Sequence, residues 1–275
     1  MNDKNNKYYN RIATATIIDS IAFYSKLLVI LSLLFPMILT SIFLGNMLPV
    51  IRKCFPVMFY RLLIWLLSIK IEYEGDFKNS TNSNFFVSNH LSYLDIPILG
   101  SMFPLRFVAK SEVKHWPILG FLSKLASTVF IKRIKSDSLY QKNKIFNLLS
   151  EGEKLLIFPE GTTSDGNRVL PFKSSSFSAL ENHNFIIQPL IIVYSDLNGI
   201  PINRWLKPII AWYGDMELIP HLKILKNIKS INVKIIHLKP VNSINFSNRK
   251  ELSNYLEQQA YASYSAALSR KKIEE

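Results

Sequence analysis

His90 and Asp95 are residue types suited to moving a proton near neutral pH. They stand five apart in the stretch Ser88-Asn89-His90-Leu91-Ser92-Tyr93-Leu94-Asp95. An imidazole can accept a proton at ordinary pH. A carboxylate on its other ring nitrogen fixes the tautomer and stabilises the imidazolium that forms. Before the pair, Phe85-Phe86-Val87 reads as a short buried strand; after it, Ile96 to Leu99 reads as helix. A strand-to-helix turn lets the two side chains meet, and sites in open α/β sheets gather at the carboxyl ends of strands. By spacing alone the signal is weak, because a histidine and an aspartate at this distance are common by chance.

Two other strand ends carry chemistry. Leu155-Leu156-Ile157 leads into Phe158-Pro159-Glu160-Gly161-Thr162-Thr163-Ser164. A proline, a glycine and three hydroxyls make a tight turn whose backbone N–H groups suit an anion or a polar ligand. Glu160 is placed to bond an acceptor hydroxyl. The plainer reading is a capping turn into Asp165-Gly166. Val129-Phe130-Ile131 ends in Lys132-Arg133. Arginine offers a planar fork for phosphate or carboxylate, although solvated cations at a strand end look the same. Lys110, after Phe107-Val108-Ala109, carries the same ambiguity.

The elements that must hold these residues can be read along the chain. The 275 residues carry a formal charge of +13 and a mean hydropathy of +0.14, with 48% hydrophobic residues. A basic chain wants an anionic partner; the apolar excess favours a membrane over nucleic acid. The single cysteine, Cys54, excludes a disulfide framework within one chain and reads as a small apolar residue. Residues 1–19 read as a loose, polar N-terminus. Residues 20–68 read as membrane-anchoring helices. No charged residue falls between Leu27 and Ile51, long enough to cross a hydrocarbon core of about 20 residues. Pro36 and Pro49 disfavour a straight span, and a second apolar segment, Phe55 to Leu67, is short and interrupted by Arg61. A helical pair embedded in one leaflet fits best, with Arg61 snorkelling to headgroups.

Residues 69–275 alternate between strand and helix patterns. Strands are expected at Ile69–Tyr73, Arg106–Ala109, Thr128–Lys132, Leu155–Phe158, Phe185–Tyr194, Ile209–Tyr213 and Ile231–Leu238. Helices are expected at Ser92–Phe103, Trp116–Leu125, Ser136–Ser150, Phe172–Asn182 and Arg249–Leu268, the last capped by Asn248 and buried along Leu252, Tyr255, Leu256, Ala260 and Ala267. This predicts an α/β fold with a mostly parallel central sheet flanked by helices.

Taken together and in order, the motifs resemble the glycerolipid acyltransferase family of the PlsC type, over roughly residues 70–215. Asn89-His90-x4-Asp95 matches the family's catalytic motif. Phe130-Ile131-x-Arg133 matches the second, whose arginine contacts the acceptor's phosphate. Phe158-Pro159-Glu160-Gly161-Thr162 matches the third, which helps hold the acceptor. Ile187-Gln188-Pro189-Leu190-Ile191 looks like the fourth, an apolar strand with a proline near the acyl channel. The resemblance implies acyl transfer from an acyl thioester, on coenzyme A or acyl carrier protein, to the free hydroxyl of a lysolipid. It implies His90 and Asp95 as catalytic residues, and Arg133, Lys132, Glu160, Gly161, Thr162 and Thr163 at the acceptor. Pro189 and Lys110 would line the donor and acyl channel. No metal and no cofactor beyond the thioester is implied. The partners are lipids, with no nucleic acid, and the expected address is the cytoplasmic face of a bacterial inner membrane.

One position departs from the pattern. Many phosphate-using members have arginine directly after Glu-Gly-Thr; here it is Thr163. Lys132, Lys173 or Arg168 replaces that contact, or the head group differs. The first expectation is 1-acylglycerol-3-phosphate as acceptor, giving phosphatidate. The second is lyso-ornithine lipid, which the wording Glu-Gly-Thr-Thr-Ser-Asp-Gly also resembles. A third, non-catalytic reading is a membrane lipid-binding scaffold. Backbone N–H groups near Gly161, or those of the turn at His90, would receive the oxyanion. Ser92 lacks the Gly-x-Ser-x-Gly elbow of a serine hydrolase, and no metal, P-loop or dinucleotide motif occurs.

Overall fold

A row of parallel strands, reversed at one position, carries the molecule. The computed structural model describes residues 17–43, 49–75, 82–116, 119–132 and 138–269. Two helices open it, α1 (Ile17–Phe43) and α2 (Pro49–Leu66). The sheet begins with β1 (Ile69–Gly75) and β2 (Phe85–Ser88), followed by α3 (Asp95–Gly100) and β3 (Arg106–Lys110). Then come α4 (Leu119–Leu125), β4 (Val129–Ile131), α5 (Ser138–Ser150) and β5 (Leu155–Ile157). The long β6 (Ile186–Leu197) and short β7 (Ile200–Pro201) precede α6 (Leu218–Leu225). β8 (Ile231–His237), β9 (Val241–Asn242) and α7 (Arg249–Leu268) close the chain.

The strand order is β1-β8-β6-β2-β5-β3-β4, with β7 and β9 also paired to β6. Along this path only β6 and β8 run antiparallel. The expected mostly parallel α/β sheet is what the chain builds. Phe85, Phe86, Leu155, Leu156, Ile187, Ile192 and Ile235 are fully buried, as strands covered on both faces require. Pro189 sits inside β6 where the strand changes partner, from Val241 opposite Ile187 to His237 opposite Leu190. A residue without an N–H is tolerated at such a break in the ladder.

α2 is bound to the α/β body. Phe55, Phe59 and Tyr60 are buried, and Tyr60 meets Phe107 edge-on at 6.2 Å. Gly100 leaves the room: a Cβ there would lie 2.4 Å from the Tyr60 ring. Arg61 is exposed, and its Nε donates to the Ser101 carbonyl just past the end of α3, at 3.0 Å. There it meets the electronegative end of a helix. α1 is different. Over Ile18–Thr40 it is long and apolar enough to cross a membrane, the one such helix among the described residues, and little of it is covered by protein.

Several expected elements come out otherwise. The expected strand at Ile209–Tyr213 is a 3-10 turn, Lys207–Ile209, running into irregular chain. Pro208 cannot donate to a ladder, and Ala211 bonds back to Lys207 while Trp212 bonds to Leu91. The expected helix at Phe172–Asn182 is a 3-10 segment, Ser174–Leu180; three consecutive serines compete with the backbone for its hydrogen bonds. Of the helix expected at Trp116–Leu125, the described part is α4, Leu119–Leu125, and a separate 3-10 turn, Ser111–His115, comes before Trp116. In α7 the Asn248 side chain caps the first turn, accepting from Lys250 and Glu251 N–H at 2.9 and 3.1 Å. Leu252, Leu256 and Ala260 are buried there as expected, but Tyr255 is exposed and Tyr264 takes the buried place.

Candidate active site

β2, β5, β3 and β4 lie side by side and parallel. Their carboxyl ends therefore face one edge of the sheet, and the sequence motifs follow those ends. His90 comes two residues after β2, and Phe158 to Thr163 follow β5. Lys110 ends β3, and Lys132 follows β4. Lys132 is thus about three strand spacings, roughly 14 Å, along the sheet from the His90 turn. Lys110 and Lys132 are exposed, as is Thr162, while Gly161 and Thr163 are half-buried. Arg133 lies outside the described residues. Pro189 is buried in β6, beside Val87 of β2.

His90 Nδ1 and Asp95 Oδ2 are 2.7 Å apart. The aspartate side chain is fully buried, while the imidazole is 16% exposed. With a carboxylate on Nδ1, the proton resides on that nitrogen and Nε2 keeps its lone pair. The same Oδ2 accepts N–H from Leu91 at 2.7 Å and Ser92 at 3.0 Å. These bonds hold Ser92-Tyr93-Leu94 as a turn and explain why α3 starts only at Asp95, not at Ser92 as the sequence predicts. Asp95 Oδ1 accepts the Tyr194 hydroxyl at 2.6 Å. Burial first, and then the Asp95 charge, holds that phenol well above its ordinary pKa, so Tyr194 stays a donor.

The ring is fixed from the other side. Phe158 stacks on His90 with centroids 3.9 Å apart and planes within 11°. Phe107 continues the stack at 6.2 Å. The His90 N–H donates to Glu160 Oε1 at 2.8 Å, and Ser164 N–H donates to the His90 carbonyl at 2.8 Å. The two motif turns are therefore bonded directly to one another. Glu160 Oε2 accepts N–H from Leu170 at 2.9 Å. Both its oxygens accept from the main chain, so this carboxyl braces the site. Burial pushes its pKa up to about 8; the two N–H donors pull against that, and the Asp95 charge adds to the rise.

Four of the main-chain donors expected to receive an oxyanion are engaged. His90, Leu91 and Ser92 donate to Glu160 and Asp95, and Gly161 donates to Phe158 O at 3.0 Å, with a φ of +69°. Sequence reasoning missed three residues here. Tyr194 was visible only as a polar handle inside an apolar strand. Phe158 belonged to a motif, but nothing local marked it as the stacking partner of His90. Asn89 bonds Ile192 twice, Nδ2 to its carbonyl at 3.0 Å and Oδ1 from its N–H at 2.9 Å, a contact set by the sheet order. Among the described residues no three His, Cys, Asp or Glu side chains gather as a metal site. A cavity of about 260 Å³ lies elsewhere, at the amino ends of β3 and β5, lined by Pro56, Phe103, Arg106 and Lys154.

Comparison with known proteins gives consistent relationships. The family model described as Acyltransferase matches residues 70–193. The lyso-ornithine lipid O-acyltransferase of Brucella abortus (strain 2308) is 34% identical over 232 residues, covering 82% of this chain and 86% of that protein. The 1-acyl-sn-glycerol-3-phosphate acyltransferase of Neisseria gonorrhoeae is 28% identical over 193 residues, covering 70% and 73%. The crystal structure of the 1-acyl-sn-glycerophosphate acyltransferase PlsC from Thermotoga maritima superposes with a TM-score of 0.62 at 22% identity, covering 94% of this chain and 98% of that one; that likeness concerns the fold.

Proposed function

This chain belongs to the acyltransferase family, and from that premise we propose that it moves an acyl chain from an acyl thioester to the free hydroxyl of a membrane lysolipid. The observation carrying the reading is the 2.7 Å contact between an accessible imidazole and a buried aspartate at the carboxyl end of β2. His90 Nε2 takes the proton of the lipid hydroxyl as its oxygen attacks the thioester carbon. Asp95 holds the ring and stabilises its positive charge. The C–S bond then breaks, and the thiolate leaves with the proton returned from His90. A thioester is already activated, since a thiol has a pKa of about 8.5, so no acyl-enzyme is required. The thioester is the only co-substrate in this scheme, with no metal or further cofactor.

For the acceptor we place lyso-ornithine lipid first. Thr163 stands where many phosphate-using members of the resembled family carry arginine, and a relative named for lyso-ornithine lipid shares more identity over more of the chain than one named for 1-acyl-sn-glycerol-3-phosphate. The second acceptor, 1-acylglycerol-3-phosphate, keeps the support of the Phe130-Ile131-x-Arg133 motif. The site's reach along the sheet to Lys110 and Lys132 supplies cations to either head group or to an anionic donor. Membrane attachment goes with this chemistry. α1, assisted by α2, would embed in one leaflet, on the cytoplasmic face where acyl thioesters are made, because both lipid and product live in the bilayer and each exposed CH₂ costs about 0.8 kcal/mol.

Purified protein offered both lysolipids with radiolabelled acyl thioester decides. Conversion of lyso-ornithine lipid with little use of 1-acylglycerol-3-phosphate is expected. The reverse preference would exchange the two acceptors. No acyl transfer to either would return the scaffold reading.

A further inference from the structure

α6 has two dissimilar faces. Its inner face buries His221 and Leu225. His221 Nδ1 meets the Tyr93 hydroxyl at 2.8 Å, and Nε2 lies 3.3 Å from the Pro208 carbonyl. Tyr93 belongs to the turn between His90 and Asp95, and its ring also meets Trp212 edge-on at 5.8 Å. The inner face is thus bonded to the catalytic turn.

The outer face is apolar and uncovered. Ile219 is 60% and Leu222 39% exposed. Lys226 follows Leu222 by four residues, so Ile219, Leu222 and Lys226 form one stripe at i, i+3 and i+7. The Lys226 ammonium sits over the Tyr24 ring at 5.9 Å and 3.5 Å from its hydroxyl, a cation–π distance. Lys229 pairs with Asp19 at 2.7 Å. Tyr24 itself lies in an exposed stripe of α1 at the same helical spacing, Ile18, Ile21, Tyr24 and Leu28. The two uncovered stripes therefore run into each other at this contact. Lys226 and Lys229 meet α1 at the junction and Lys223 stands in the last turn of α6, while the carboxylates Asp215 and Glu217 lie before the far end of that helix. Apolar side chains beside long-stemmed cations match a bilayer carrying anionic headgroups: hydrocarbon meets the acyl boundary, and ammonium groups reach the phosphates.

We propose that α6 lies on the anionic bilayer surface as a second membrane contact beside α1, and that the Tyr93–His221 bond ties this lipid-facing helix to the catalytic turn. The proposal rests on the reading that α1 is embedded in the membrane. Two contacts fix the tilt of the sheet toward the lipid, where one helix alone leaves it free to swing.

The test uses the full chain with Cys54→Ser and one new cysteine at a time, Leu28→Cys, Leu222→Cys or Asn254→Cys, each carrying an environment-sensitive fluorophore. Vesicles of phosphatidylcholine with about one third phosphatidylglycerol carry nitroxide quenchers on their acyl chains. Labels at positions 28 and 222 are expected to be quenched and blue-shifted, and the label at 254, on exposed α7 surface, to be unaffected. Quenching at 28 without quenching at 222 would overturn the α6 contact and leave the α1 anchor standing. Quenching at neither would overturn the anchor, and this proposal with it.

Discussion

Tyr194 and Asp95 come from strand and helix segments 99 residues apart and meet at 2.6 Å, with the tyrosine on the aspartate oxygen that His90 does not use. The buried carboxylate thus has a donor on each oxygen, and it cannot rotate without losing one. Tyr194 acts on the imidazole only through Asp95, so it is a positioning residue. Tyr194→Phe should lower kcat by about 10- to 100-fold with KM nearly unchanged, the size of a charge-assisted hydrogen bond. In an Asp95→Ala background the same change should add almost nothing. Full additivity, or a loss seen in KM instead of kcat, would reduce Tyr194 to packing.

His90→Ala should abolish turnover by at least about 10²-fold while vesicle binding persists. Asp95→Asn should also lose activity, since an amide cannot stabilise the imidazolium and presents a donor to at least one group that now donates. Steady-state rates with detergent-dispersed lysolipid, beside a flotation assay for binding, separate the two effects.

Glu160 gives a pH signature in stability. Its folded pKa of about 8 lies above that of a free carboxyl, so the folded state holds an extra proton between these values. The contribution is fully present below the unfolded pKa and is lost as pH rises toward 8. Thermal unfolding of the wild-type protein should therefore fall in midpoint between about pH 5 and pH 8. Glu160→Gln should flatten that slope. It should also lower the midpoint at acidic pH, because its NH₂ faces a backbone N–H of His90 or Leu170. A slope that survives the substitution would place the titrating group elsewhere.

Gly166 is held at a φ of +75°, and a Cβ there would lie 2.7 Å from Leu91 Cδ2. Its carbonyl accepts the Tyr264 hydroxyl at 2.6 Å and the Lys207 ammonium at 2.5 Å. Gly166→Ala should cost about 1–2 kcal/mol from the left-handed backbone alone. Pushing Leu91 moves the residue next to His90, so kcat should fall further than the loss of folded protein explains. Differential scanning calorimetry with kinetics on the folded fraction checks both.

The α/β class and the places where motifs end strands were legible in the sequence, because β2, β5 and β3 are short apolar runs and their chemistry follows directly. The His90–Asp95 contact was legible because both residues share one turn. The brace formed by Glu160 was not, since its partners are main-chain groups 70 and 10 residues away. Tyr194 and Asn89–Ile192 depend on β6 lying beside β2, and strand order is not encoded in local periodicity. The over-long helix at Ser92 and the imagined strand at Ile209 share a cause: apolar residues there are buried by turns, and hydrophobic spacing does not reveal who takes the backbone hydrogen bonds.

The double bond between Asn89 and Ile192 has a further meaning. A side-chain amide has the same donor and acceptor as a peptide group, so Asn89 continues the ladder to β6 for one more rung after β2 has stopped. The main chain is released from the sheet at that point without leaving its neighbour unsatisfied. The next residue is His90, whose ring is thus carried past the sheet edge to Asp95 while the strand behind it stays bonded to its neighbour.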